Sequence, residues 1–246
     1  MRIAIFADIH ANRQAFTACL SQAQNIGAVR TILLGDYVGY GADPEWTVMM
    51  VMDLVGNGAQ AVQGNHDNAV SDPRESLNLE AQIVIEWTRG ELGLAERQFL
   101  KDLPLTLNED DRLYLHSEAS SPKAWRYVTN VNDAAQSLNA TSAAITFCGH
   151  VHQPKLYTMG ARGIVTGFTP ITDAAIPLLP GRRWLAVLGS VGQPRDGQAA
   201  ASYVVLDTER HELTYCRAPY DVKAAAARIR SQGLPIWLAD RLWLGK

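Results

Sequence analysis

Residues 2–12 read RIAIFADIHAN, and the fold is decided there. The apolar run over 2–7 has the length of a short buried strand and stops at Asp8. Asn12 is placed to cap a helix reaching about Ile26, with Ala15, Phe16, Cys19 and Leu20 on one face. The same order then returns. TILL, residues 31–34, reads as a second strand ending at Gly35-Asp36, and Pro44 can start a helix carrying Met49, Met50 and Leu54. AQAV, residues 59–62, reads as a third strand running into Gly64-Asn65-His66-Asp67. This alternation predicts a largely parallel sheet with functional loops beyond the carboxyl ends of its strands.

Further along, residues 78–102 read as helix, broken near Gly90–Gly93 and stopped by Pro104. LTLNEDDRLYLHS, residues 105–117, predicts a hairpin with Asn108 to Asp111 as its turn. AITFC, residues 144–148, is a strand that leads into Gly149-His150. Beyond about residue 155 come short strands, at 163–167, 183–188, 201–207 and 211–216. Asp221 to Leu244 predicts two amphipathic helices separated near Gly233-Leu234-Pro235. No repeat, low-complexity tract or linker interrupts residues 1–246, so the expectation is one domain with a helical tail from about 221.

Composition narrows the function. With 22 Lys and Arg against 25 Asp and Glu the net charge is −3, which gives no global electrostatic footprint for nucleic acid. The 3 cysteines, Cys19, Cys148 and Cys216, are far apart and make neither a disulfide framework nor a zinc pair, which fits a reducing cytoplasm. Asp8 stands too early for a signal peptide, and no apolar run is long enough to span a membrane.

Of 6 histidines, all but His211 fall where a predicted strand gives way to a loop. Beside them stand Asp8, Asp36, Asn65 and Asp67. A lone histidine in such a place is usually structural, but a parallel sheet gathers its strand ends along one edge and brings these together. Asp8-Ile9-His10 and His150-Val151-His152 put ligand types at i and i+2, which share a face if the backbone stays extended. Carboxylate and amide oxygens with imidazoles suit first-row divalent ions, and no cysteine joins the set.

Asp8-x-His10, Gly35-Asp36, Gly64-Asn65-His66-Asp67, His116 and Gly149-His150-Val151-His152 stand in the order of the calcineurin-like metallophosphoesterases, which this chain resembles. GDYVGYGADP, VQGNHDNAV and GSVGQPRDG resemble the bacterial and archaeal branch of small predicted phosphodiesterases. The resemblance implies an α/β fold, a four-layer α/β/β/α sandwich of two mixed sheets, with two metals at one edge. It implies that Asp8, His10 and His152 bind one metal, Asn65, His116 and His150 the other, and that Asp36 bridges them. Manganese or iron is expected, with zinc, nickel and cobalt as alternatives. Such a pair lowers the pKa of a bridging water, which attacks phosphorus in line. His66 lies outside the ligand set, and its counterpart protonates the leaving group, worth roughly 10²–10⁴-fold, or stabilises charge on the phosphoryl oxygens. The alternative for His66 is structural support behind the ligands.

Two departures matter. Phosphoprotein phosphatases of the superfamily carry an Asp-Arg pair where this chain has Gly39 and Tyr40. This argues against protein phosphatase activity and leaves His66 without an assigned partner. Asp67 either orients it or points away into a turn. After His116 many relatives have glycine, where this chain has Ser117, so the loop HSEASSPKAWRYV is expected to sit differently. On it Trp125, Arg126 and Tyr127 either contact substrate or simply pack. Arg195 is placed to supply the missing phosphate contact through its planar fork, or to pair with Asp196 across a glycine-rich turn. Asn12 reads as a cap that can also touch substrate. The Ala-rich tail reads as helix packing or a homo-oligomer face.

The function expected is hydrolysis of a small or nucleotide-like phosphodiester. A phosphomonoester or nucleotide, or a dinucleoside polyphosphate, is the alternative substrate. A non-catalytic metal-binding scaffold is the reading from another class, but burying so many unpaired polar groups without metal is costly.

Overall fold

The computed structural model describes residues 1–75 and 79–246. The opening strands are β1 (Arg2–Phe6), β2 (Arg30–Leu33) and β3 (Gln60–Ala61), joined by helices α1 (Arg13–Asn25) and α2 (Pro44–Gly56). All three strands are parallel, with Ile5 opposite Ile32 and Ile32 opposite Gln60. The free edge of β1 takes the antiparallel strand β11 (Ala201–Asp207), followed by β12 (Glu212–Ala218) and β9 (Ala175–Pro177). The second 6-stranded sheet runs β4 (Thr106–Glu109), β5 (Arg112–Leu115), β6 (Ile145–Cys148), β10 (Arg183–Val187), β7 (Lys155–Met159) and β8 (Val165–Phe168).

Strand period explains the layering. On β1, Ile3 and Ile5 face the second sheet, against Tyr114, Phe147, Trp184 and Ala186. Ala4 and Phe6 face the other way, onto Ala15, Phe16 and Cys19 of α1 and Val48 and Val51 of α2. A strand buried on both faces reads as a continuous apolar run, which is why RIAIFA does not alternate. Phe6 stacks on Tyr203 of β11 at 5.2 Å and meets Phe16 edge-on at 5.8 Å, so one ring ties two strands to α1. Burying such a side chain contributes about 1.5–3 kcal/mol. On the far side, Leu185 and Val187 of β10 pack on Ala134 and Leu138 of α6 (Val131–Asn139). The result is the expected four-layer sandwich of two mixed sheets between helices.

The long helical stretch is two helices, α4 (Leu79–Glu91) and α5 (Leu94–Asp102), broken at Leu92-Gly93 as anticipated; the expected start at 78 lies outside the described residues. The hairpin is tighter than expected. Asn108 pairs with Leu113 inside the strand, and only Asp110 and Asp111 turn, with Asp110 at φ 51°. Helix α3 (Asn65–Ser71), helix α6 and strands β7 and β9 have no counterpart in the sequence reading. Helix α6 is short and mostly polar, and its signal is the Asn130 side chain accepting from Asn132 and Asp133 backbone N–H groups. The tail forms α7 (Val222–Ser231) and α8 (Ile236–Leu244), whose Ile229, Leu238 and Leu242 pack with Ala42 and with Val84 of α4. Among the described residues no helix is long and apolar enough to cross a membrane.

Candidate metal centre

The strand ends meet as the parallel sheet requires, but not through extended backbone. Asp8, His10, Asp36, His150 and His152 all have positive φ, between 47° and 69°. The i, i+2 pairs therefore converge through left-handed turns, which corrects the extended geometry expected from their spacing. Each such residue costs about 1–2 kcal/mol, and strain of this kind collects at functional sites. Backbone hydrogen bonds hold the turns together: Asp8 N–H donates to Gly35 O at 3.1 Å, His10 N–H to Asp36 O at 2.9 Å, and Gly149 N–H to His116 O at 2.9 Å.

Two groups of donors result. In the first, His10 Nε2 and His152 Nε2 lie 3.1 Å apart, and Asp8 Oδ1 is 3.3 Å from His152 Nε2. In the second, His116 Nε2 is 3.1 Å from His150 Nδ1 and 3.1 Å from Asn65 Oδ1. Asp36 stands between them, its Oδ2 3.8 Å from His10 Nε2 and 3.3 Å from His116 Nε2. Asp8, His10, Asp36, His116 and His152 are 0–1% or 2% exposed.

The outer ring nitrogens settle what the inner ones can do. His10 Nδ1 faces Val38 O at 3.0 Å, His116 Nδ1 faces Leu34 O at 2.8 Å, and His152 Nδ1 faces Gln193 O at 2.7 Å. His150 is reversed, with Nε2 on Trp125 O at 2.8 Å. A carbonyl only accepts, so in each neutral imidazole the proton sits on the outer nitrogen and the inner one carries a bare lone pair. Where both rings are neutral, two bare lone pairs at 3.1 Å repel; where one holds a second proton, as His116 does, that proton bridges the two nitrogens and a metal must displace it. A cation on each group turns both contacts into ligation, and carbonyl-anchored imidazoles are the usual support for a metal. The donor set therefore fits divalent metal. Burial favours the neutral form of two of these rings: it pushes His10 well below its ordinary value, with His152 adding to it, and lowers His150 to about 3. Burial would lower His116 as well, but the Asp36 carboxylate outweighs it and raises that ring to about 9.

His66 differs from these four. Its Nε2 lies 3.9 Å from Asp36 Oδ2, and with His10 and Asp36 it makes a third donor group of metal-binding dimensions. Yet its Nδ1 is buried without a hydrogen-bond partner and packs on Gly39, where a Cβ would overlap it. No carbonyl turns this ring toward a metal. Its backbone N–H donates to Asp36 Oδ1 at 2.8 Å, from the first turn of α3.

Comparison with known proteins agrees with this geometry. The calcineurin-like phosphoesterase superfamily domain matches residues 1–211. The chain belongs to this family. It is 34% identical over 253 residues to the uncharacterized protein MJ0912 of Methanocaldococcus jannaschii, covering 99% of this chain and 98% of that one. The crystal structure of a metallophosphoesterase from Sphaerobacter thermophilus superposes with a TM-score of 0.88 at 33% identity, covering 100% of this chain and 99% of that chain. The hypothetical protein PH1004 from Pyrococcus horikoshii OT3 shares the fold, with a TM-score of 0.79 at 18% identity over 100% of this chain and 98% of that chain. The protein is thus a metal-dependent phosphoester hydrolase.

In this phosphoesterase the remaining expected positions divide. Asp67 does not reach His66. Its Oδ2 accepts from Asp36 N–H at 2.8 Å and Gly64 N–H at 2.9 Å, and its Oδ1 from Tyr37 N–H at 2.9 Å, so it anchors the loop that carries Asp36. Asn12 caps α1 by accepting from Ala15 N–H at 3.1 Å, and its amide donates to Gly192 O at 2.8 Å, so both ends serve the fold. Arg195 does not pair with Asp196, which is ion-paired to Arg217 instead. The Arg195 guanidinium donates to Gln193 Oε1 at 2.8 Å and lies 5.6 Å from the centre of the Tyr40 ring. Arg126 is more than half exposed, 3.7 Å from Glu118. From the same loop Tyr127 stacks on His150 at 4.1 Å, while Trp125 lends its carbonyl to His150 and sets its ring edge-on to His116 at 5.9 Å.

Tyr40 was not singled out from the sequence as a wall of the site. Its ring lies 4.7 Å from His10 and 4.7 Å from His66. The available signal was its neighbour: Gly39 has φ 86° and Tyr40 itself 63°, a bend that a glycine beside an aromatic residue can announce.

Proposed function

We propose that this phosphoesterase cleaves a small, nucleotide-like phosphodiester with two divalent ions, manganese or iron. Asp8, His10 and His152 would hold one ion, Asn65, His116 and His150 the other, with Asp36 reaching both. One observation carries this reading: two pairs of inner imidazole nitrogens, each 3.1 Å apart, flank the buried Asp36 carboxylate. Hard oxygen and imidazole donors without cysteine favour manganese or iron. When bound, the ions supply positive charge against the phosphoryl oxygens and acidify a water.

The chain's own residues do the rest. His66, with Nδ1 closed off by Gly39, keeps its proton on Nε2, the nitrogen turned toward Asp36. Burial lowers this ring to about 4 and holds it neutral, so the Nε2–H acts by donating a hydrogen bond to the negative charge that develops on the reacting phosphoryl group. Tyr40 shields His66 and His10 from water on one side. Arg195, braced by Gln193, offers a guanidinium at the rim. A monoester brings more negative charge than a diester, and the Asp-Arg pair that answers it in protein phosphatases is replaced here by Gly39-Tyr40. That replacement favours a singly charged diester. The same reading takes residues 1–246 as one domain, supported by β11 and β12 in the sheet of β1 and by the tail packing on α4.

The test is turnover of bis(p-nitrophenyl) phosphate beside p-nitrophenyl phosphate. The protein is stripped of metal, reconstituted with manganese, and its metal counted. Metal-dependent diester cleavage above monoester cleavage is expected, with two ions per chain. Faster monoester cleavage overturns the diester assignment, and bound metal without turnover of either defeats the reading.

A further inference from the structure

A cleft of about 370 Å³, within the range typical of small-ligand sites, is walled in part by residues next in the chain to the metal centre. Its position follows from its walls. Val128 follows Tyr127, which stacks on His150; Val151 sits between His150 and His152; Asp196 follows Arg195. Gln153, another wall residue, donates from Nε2 to Arg195 O at 2.8 Å. Neighbouring Cα atoms are about 3.8 Å apart, so several of these walls stand next in the chain to metal ligands or to Tyr127 and Arg195.

Two polar groups in the cleft lack what their chemistry calls for. Lys155 donates from Nζ to Thr169 Oγ1 at 3.3 Å, and among the described residues no carboxylate lies within ion-pair distance of it. An ammonium has three N–H donors, so two remain for a ligand. Asp196 pairs with Arg217 through Oδ2, while its Oδ1 is buried without a partner. A buried acceptor left unpaired is costly, and a hydroxyl donor would satisfy it.

We propose that this cleft binds the far half of the substrate, a hydroxylated group with its own negative charge, such as a sugar phosphate. Its anionic oxygens meet Lys155 Nζ and one of its hydroxyls donates to Asp196 Oδ1. Assigning the group to the substrate rests on the phosphodiesterase reading; the cleft's preference for it does not.

Calorimetric titration of ribose 5-phosphate, ribose and inorganic phosphate into the protein tests this, with Lys155→Gln and Lys155→Arg beside the wild type. Ribose 5-phosphate should bind about tenfold more tightly than ribose, the scale of one charged hydrogen bond. Lys155→Gln should erase that margin and Lys155→Arg should keep it. Equal affinities in the wild type, or a margin that survives Lys155→Gln, overturn the proposal. If the margin depends on Lys155 but no diester is cleaved, the cleft stands and the phosphodiesterase reading falls.

Discussion

Gly39→Ala isolates His66 from the metal ligands. Gly39 has φ 86°, and a Cβ there would overlap His66 Nδ1. The left-handed backbone alone costs an alanine about 1–2 kcal/mol. Forcing a methyl into the packed contact adds about 1–3 kcal/mol. The protein should lose about 2–5 kcal/mol, and at roughly 2–4 °C per kcal/mol for a chain of this size the melting temperature should fall by about 4–20 °C. The three atoms nearest that Cβ all belong to His66, so the metal ligands are not the first to be displaced and metal content should hold. His66 must move to make room, and a displacement near 1 Å costs on the order of 10²-fold in rate. The assay is kcat on bis(p-nitrophenyl) phosphate with manganese, beside metal analysis and a thermal melt. A melting temperature that falls while kcat stays at the wild-type value refutes the placement of His66 at the reacting group. Loss of metal together with activity refutes its separation from the ligands.

His66→Ala should keep nearly all bound metal and lower turnover about 10²-fold or more; metal lost in that variant makes His66 a ligand instead. Asp36→Ala removes the carboxylate that both donor groups share, so metal analysis should find both ions lost, and one ion retained at full occupancy argues against bridging. In the metal-free protein the raised His116 ring binds a proton up to about pH 9, against an ordinary value of 6.5. Its contribution to stability is therefore complete below about 6.5 and disappears as pH rises through about 9. At pH 7.5, metal uptake should expel about one proton from this ring, read by calorimetry in buffers of different ionisation enthalpy, and no proton release contradicts the Asp36–His116 pairing. Asn12→Ala removes the α1 cap and should destabilise by about 1 kcal/mol in urea unfolding. A larger loss of turnover than of stability would restore a substrate role for Asn12.

The order of short apolar runs, each ending on Asp, Asn or His beside glycine, was enough for the α/β alternation and for the ligand types at the strand ends. Buried strands and their exits are local signals: apolar content, length and a turn residue, all within about ten positions. The same holds for the Asn12 cap, the break at Gly93 and the paired tail helices, each announced by its own neighbours.

What the linear chain does not carry is contact between distant backbone atoms. Val38, Leu34, Gln193 and Trp125 lend carbonyls to the four histidines, and a carbonyl is present at every residue, so nothing in the side chains marks them. Asp67 is next to His66 in sequence but turns to three N–H groups, two of them 30 and 31 residues away. Arg195 has Asp196 beside it, yet Asp196 goes to Arg217 because β12 brings that guanidinium closer. Sequence by itself determined which donors exist and that strand ends collect them. Only the tertiary structure decided which nitrogen of each ring faces inward, since that depends on carbonyls brought in from other strands and loops.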